Sequence, residues 1–271
     1  MVVFILWISY IYWFVPRKQT RYRPQVCKEI LNSSRQVTAY QCPFKGLRLW
    51  KPLREIDPKL RKLVVFLEDA KFYHHNGLDF KEIFNAIEED LEKGKFARGG
   101  STITQQLVKN IFLSKDKTII RKLSEVPLAL RLEKELTKEQ ILELYLNTIE
   151  WGPGVFGVEA ASRTYFDRTS TNLKDEQIWL LALLIPNPKA LNPWLNPRSK
   201  KALFYRAKQL SNRLVTDKQV SKLEAEQLLI QFNLFLNQWI ESNPLQNSYV
   251  LQRQYPLVWY PFQKNQNFYR K

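Results

Sequence analysis

The sequence predicts a mainly α-helical protein that begins with an apolar anchor. Three observations carry this reading. Apolar residues recur at helical spacing from Ile56 to Leu236, capping residues and prolines punctuate that pattern, and Met1 to Val15 is apolar apart from Ser9 and the aromatic Tyr10, Tyr12 and Trp13. With 271 residues, 45% hydrophobic and 25% charged, the chain can form one large domain or two small ones with a core. Eight Gly against 14 Pro, with no repeating period, exclude collagen, solenoid and low-complexity architectures.

Residues 1–16 read as a transmembrane anchor. At 1.5 Å per residue, about fifteen helical residues reach about 22 Å, short of the roughly 30 Å hydrocarbon core, so the anchor is short or its start lies upstream. A cleaved signal peptide fits poorly, because no basic segment precedes the run and no Ala-x-Ala site follows it. Arg17, Lys18, Arg21 and Arg23 come next, and the positive-inside rule places them in the cytoplasm. Residues 17–49 form a juxtamembrane segment with few long apolar periodicities.

Leu60, Leu63, Val64 and Leu67 then mark one face of a helix carrying Glu68 and Asp69 near its C-terminal end. Phe80, Ile83, Phe84, Ile87 and Leu91 mark a second, which runs out at Lys93-Gly94. A third starts near Ser101 or Thr102, whose hydroxyls suit an N-cap. Pro127 would break a helix interior, so a helix is expected to restart at Glu125 with Ser124 as its cap. Thr137 with Gln140 forms a capping box for a helix reaching Asn147. A glycine turn at residues 152–157 precedes a helix from Val158 to Phe166. Asp175 to Ile185 is a strongly apolar helix, too short to span a bilayer, stopped by Pro186 and Pro188. Leu203 to Val215 and Lys218 to Trp239 read as two amphipathic helices, and a basic, aromatic tail follows.

Two Cys and two His, the latter adjacent at His74 and His75, exclude a closed structural zinc site. Cys27 and Cys42 are compatible with a bridge or with two free thiols. Forty-two basic against 26 acidic residues give +16 and point to an anionic partner: nucleic acid, a membrane surface or a phosphorylated ligand.

Three segments are too polar for core packing alone. Glu68-Asp69 through His75 to Asp79 places acids at a helix C-terminus, against the dipole, and reads either as a solvated end or as a site. Arg98-Gly99-Gly100-Ser101-Thr102, leading to Gln105, Gln106 and Lys109, suits a phosphate cradle or a plain capped helix. It lacks the Gly-Lys-Ser/Thr ending of a Walker loop. Arg121-Lys122-Leu123-Ser124-Glu125 sets two cations before a carboxylate, which alone is an ordinary helical ion pair.

Taken together and in this order, these segments resemble the signature motifs of the peptidoglycan glycosyltransferases. The likeness runs from about Trp50 to Pro197 and includes Lys138 to Asn147, Gly154 to Ala161 with Tyr165-Phe166, and Leu181 to Pro188. It implies a lysozyme-like helical fold, with a glycosyltransferase domain over residues 50–215 and a C-terminal helix and tail over 216–271. Length and a single anchor look like the monofunctional branch. Ser114-x-x-Lys117 matches the penicillin-binding pattern by accident, with no Lys-Thr-Gly downstream.

The resemblance implies polymerisation of lipid II at the outer, periplasmic face of the bacterial cytoplasmic membrane. The acceptor 4-hydroxyl joins the donor anomeric carbon with inversion, and undecaprenyl pyrophosphate leaves. By motif match Glu68 is the general base, Asp69 supports it, and His75 is a structural hydrogen-bonding residue, with a histidine base left open by the neighbouring His74. Glu125 matches the second essential carboxylate, which assists pyrophosphate departure directly or through Mg²⁺ or Mn²⁺. No organic cofactor is implied. Lys109, Lys117, Arg121 and Lys122 supply positive charge, and Ser101, Thr102, Gln105 and Gln106 act as neutral donors. The implied partners are lipid II, the lipid-linked glycan chain, membrane phospholipid and other cell-wall synthesis proteins. Nucleic acid is not among them, since no recognition module is present.

Asn85 and Lys117 stand where many members carry Arg, and Pro127 after Glu125 is unusual. The outer-face placement also opposes the orientation that Arg17 to Arg23 favour. Two other readings compete: a lysozyme-like enzyme that cuts glycan, and a membrane-anchored scaffold with an idle site.

Overall fold

The computed structural model describes residues 28–31, 37–41, 49–84, 88, 100–113, 119–152, 154–193 and 196–242. The expected anchor at residues 1–16, both cysteines, Asn85, Lys117 and the tail lie outside them. Among the described residues no helix is long and apolar enough to cross a membrane. The described chain is mainly helical and divides into two units, one containing residues 51–149 and the other residues 25–50 and 150–271.

In the first unit, helix α1 (Pro58–Glu68) starts where Asp57 accepts a hydrogen bond from the Lys59 N–H at 2.8 Å, and Pro58 occupies the first turn, where no amide bond is lost. Leu60, Leu63, Val64 and Val65 are buried, whereas Leu67 is only half-buried. The helix ends because Asp69 turns extended, and this brings Glu68 and Asp69 out at its C-terminus. A short 3-10 turn (Phe72–His74) buries Phe72 beneath the Lys138 ammonium, 4.5 Å from the ring centroid. Asp79 then caps residues 80–84, which are helical as expected, by accepting from the Glu82 N–H at 3.0 Å.

Helices α2 (Ile103–Phe112), α3 (Ile119–Glu135) and α4 (Lys138–Thr148) complete this unit, with α2 packed on both others. The expected caps of α2 and α4 are present: Thr102 with Gln105, and Thr137 with Gln140, each form a reciprocal capping box. The break expected at Pro127 is absent, because α3 runs through it as one helix. The proline withholds one N–H from the ladder at a cost of about 3 kcal/mol. Leu128, Ala129 and Leu132 lie buried on the next turns, and about 1.5–3 kcal/mol for each fully buried leucine outweighs that loss. Asn147 clamps the segment leading to α1: it accepts from the Lys51 N–H and donates to the Lys51 and Glu143 carbonyls.

In the second unit, β1 (Lys28–Leu31) and β2 (Val37–Gln41) pair antiparallel, with a bulge after Ile30, in the segment that shows no long periodicity. A smaller hairpin, β3 (Glu150–Gly152) with β4 (Val155–Phe156), forms within the glycine turn. Gly152 is required there, since a Cβ would collide with the buried Tyr165 hydroxyl. Helix α5 (Val158–Phe166) follows Gly157, whose φ of 87° favours glycine. Helix α6 (Asp175–Leu184) is buried at every residue from Gln177 onward and forms the centre of the unit, against which α8 (Lys222–Ser242) packs Phe232 at a tilt on Trp179. Helix α7 (Ser199–Thr216) packs on both α6 and α8. Helix α8 starts four residues later than expected because Lys218 is left-handed (φ 53°) and Ser221 accepts from the Glu224 N–H.

Candidate active site

The end of α1 and the start of α2 meet in the first unit. Glu68, half-buried, accepts a hydrogen bond from the Gln106 side-chain amide at 2.9 Å. Asp69 is buried, takes the Ile103 N–H at 3.0 Å and pairs with His75 Nε2 at 2.9 Å. The other ring nitrogen, Nδ1, accepts from the Gly77 N–H, so it cannot carry the proton, which sits on Nε2 and is donated to Asp69. Both nitrogens of His75 are therefore committed to structure, and His74 is exposed. Glu68 is the more accessible carboxylate of the two, half-buried where Asp69 is buried.

A second cluster lies on α3. Lys122 donates to the Ser101 hydroxyl at 2.9 Å and to Glu125 at 2.6 Å. Glu125 is 1% exposed, whereas the Lys122 side chain is 52% exposed and reaches from solvent onto the buried carboxylate. Lys109 lies exposed on α2, one turn beyond Gln106. Ser101 and the capped start of α2 thus connect a carboxylate on one side with a cation–carboxylate pair on the other.

Three of the amides at the start of α2 are engaged within the protein. Thr102 N donates to Gln105, Gln105 N donates to Thr102, and Ile103 N donates to Asp69. The Thr102 hydroxyl donates to the Gly77 carbonyl at 2.6 Å. Thr102 and Gln105 are buried and hold the site together, and charge for an anion has to come from side chains. Among these, Lys117 and the Arg121 side chain lie outside the described residues.

Among the described residues no group of three His, Cys, Asp or Glu is placed to hold a metal ion, and Lys122 already supplies a positive charge to Glu125.

Three residues absent from the sequence-level site belong to its frame. Tyr145, fully buried on α4, donates to Gln106 at 2.9 Å; its place within an apolar helical face gives it the look of core, and its partner is 39 residues earlier. Burial first, then the charges of Glu68 and Asp69, push its hydroxyl well above the ordinary tyrosine range. Glu133 accepts from Thr104 and from Lys138 at 2.8 Å, tying α2, α3 and α4 together. Gly77 (φ 89°) lies so close to α3 that a Cβ would sit 3.1 Å from the Glu133 side chain.

A half-buried carboxylate with a fixed donor, and a buried carboxylate with its cation, both tied to the start of α2, are the kind of groups that acid–base chemistry uses. A sequence model of the transglycosylase family matches residues 35–215, about two thirds of the chain, and the chain belongs to that family. It is 46% identical over 159 residues to a biosynthetic peptidoglycan transglycosylase of Nitrosospira multiformis, covering 57% of this chain and 69% of the relative. A protein of the same name from Chromobacterium violaceum is 49% identical over 140 residues, 52% of this chain and 61% of its own. Penicillin-binding protein 2D of Bacillus subtilis matches at 38% over 182 residues, 67% of this chain but 26% of that longer protein.

Proposed function

We propose that Glu68 is the general base of glycan-strand synthesis and that the Lys122–Glu125 pair receives the leaving pyrophosphate. The chain is a peptidoglycan glycosyltransferase that polymerises glycan strands in the cell envelope, and its substrate is lipid II with the growing lipid-linked chain. In the proposed step, Glu68 takes the proton from the acceptor 4-hydroxyl as that oxygen bonds to the donor anomeric carbon. The bond from this carbon to the pyrophosphate oxygen breaks on the opposite face, inverting the centre, and its electron pair leaves with undecaprenyl pyrophosphate. Lys109, Arg121, Lys122 and Lys117 then supply the charge that offsets the departing anion, Ser101 a neutral donor. Glu125 keeps the Lys122 ammonium in place, and no step is routed through a metal.

The observation that carries this reading is the Ser101–Lys122–Glu125 cluster, which a glycan-cleaving enzyme does not need and a pyrophosphate leaving group does. Residues 1–16 serve in this account as a single-pass anchor in the cytoplasmic membrane, with the catalytic unit on the periplasmic face among other cell-wall synthesis proteins and membrane phospholipid. The test supplies the detergent-solubilised chain with lipid II in one reaction and with preformed glycan lacking lipid in another. Polymer and released pyrophosphate lipid only in the first support the proposal. Shortened glycan in the second supports a hydrolase, and no product in either supports an idle scaffold.

A further inference from the structure

We infer that Tyr145 is a positioning residue for the reaction: its buried hydroxyl locks the Gln106 amide so that its N–H faces the Glu68 carboxylate. The inference rests on Glu68 being the base. The two ends of a glutamine amide are nearly equal in size, and only hydrogen bonding decides which faces where. An ionised Glu68 only accepts, so the amide nitrogen has to face it, at 2.9 Å. The amide oxygen is then turned to α4, where the Tyr145 hydroxyl donates to it, also at 2.9 Å. Tyr145 is fully buried and keeps its proton throughout the working range, so the donor is always available.

Phenylalanine at 145 would keep the ring and remove the donor. The Gln106 oxygen would lose its partner, and a flipped amide would set lone pair against lone pair at Glu68, so that the carboxylate either moves away or takes up a proton. Other ionisable groups around this chain are Asp69 and His75 on the following turn, Lys109 on α2, and Lys122 with Glu125 on α3. None of them touches the amide oxygen in place of Tyr145 in the bonds described for Gln106.

The experiment measures lipid II polymerisation by the full detergent-solubilised chain between about pH 5 and pH 9. It compares the native chain with Tyr145→Phe, Gln106→Ala, the double variant and Glu68→Gln, each checked for native circular dichroism. We expect Tyr145→Phe to lower kcat by about tenfold with KM within about twofold, as when the Gln106 hydrogen bond to the Glu68 carboxylate is lost. The acidic limb of its pH profile should move up by about half to one pH unit. Gln106→Ala should show the same limb, and the double variant should be no worse than Gln106→Ala alone. A native acidic limb in Tyr145→Phe, or losses that simply multiply in the double variant, overturns the inference. Should Tyr145→Phe not fold, the Gln106→Ala limb decides, and a native limb there overturns it as well. An inactive Glu68→Gln beside a native-like Tyr145→Phe rejects the inference alone, whereas an active Glu68→Gln rejects the base assignment and the inference with it.

Discussion

Glu125 is buried and charged, and the Lys122 ammonium 2.6 Å away offsets part of the desolvation that burial imposes. Removing the ammonium leaves the carboxylate in a poorer state than removing both groups. Lys122→Met should therefore lower the melting temperature, and Lys122→Met/Glu125→Gln should recover most of that loss while polymerisation stays abolished. A melting temperature unchanged by Lys122→Met contradicts the pairing. Asp79 gives a pH signature of a different kind. Burial opposes its ionisation, but the Glu82 N–H and the Lys71 ammonium, 3.5 Å away, outweigh burial and hold its carboxyl below the ordinary range. A folded value below the unfolded one stabilises the protein above the unfolded value near 4, and that stabilisation is lost as pH falls through the folded value. Asp79→Asn keeps an oxygen that can cap but removes the charge, so the two stability curves should differ at neutral pH by about 0.3–1 kcal/mol, the worth of a negative charge at a helix N-terminus, and converge in acid. Parallel curves would refute this.

At the scale of elements, the readable features are local ones. The hydroxyl cap at Thr102, the capping box at Thr137 and the glycine turn before α5 all follow from residues close together in sequence. Features decided by distant packing were not legible. The hairpin β1–β2 sits in a segment without clear alternation, and α3 continues through Pro127 because its next turns are buried by other helices. Of the site, Glu68, Asp69, Ser101, Lys122 and Glu125 stand out as polar residues in odd places. Tyr145 and Glu133 do not, since their partners lie 39 and 29 residues away. Pro127→Ala should stabilise the chain by about 2 kcal/mol, because alanine restores the missing N–H to α3 and the loss of proline rigidity in the unfolded chain offsets only part of that. Gly77→Ala should cost about 1–3 kcal/mol, since it combines a positive φ with a 3.1 Å contact on Glu133. Urea midpoints for both variants check the two signs.

For the whole molecule, the sequence match and the site geometry point the same way. The family model spans residues 35–215, and all the site contacts described fall within residues 68–145 of the first unit. The excess of 42 basic over 26 acidic residues suits an enzyme whose substrate, lipid II, is anionic. The central claim is that Glu68 removes the proton while Lys122 and Glu125 manage the leaving group, and one comparison tests it most directly. Lipid II is given to the native chain, Glu68→Gln and Glu125→Gln, and the glycan is resolved on gels. The account predicts polymer from the native chain, none from Glu68→Gln and little from Glu125→Gln, with all three folded. Polymer from Glu68→Gln at the native rate would contradict it.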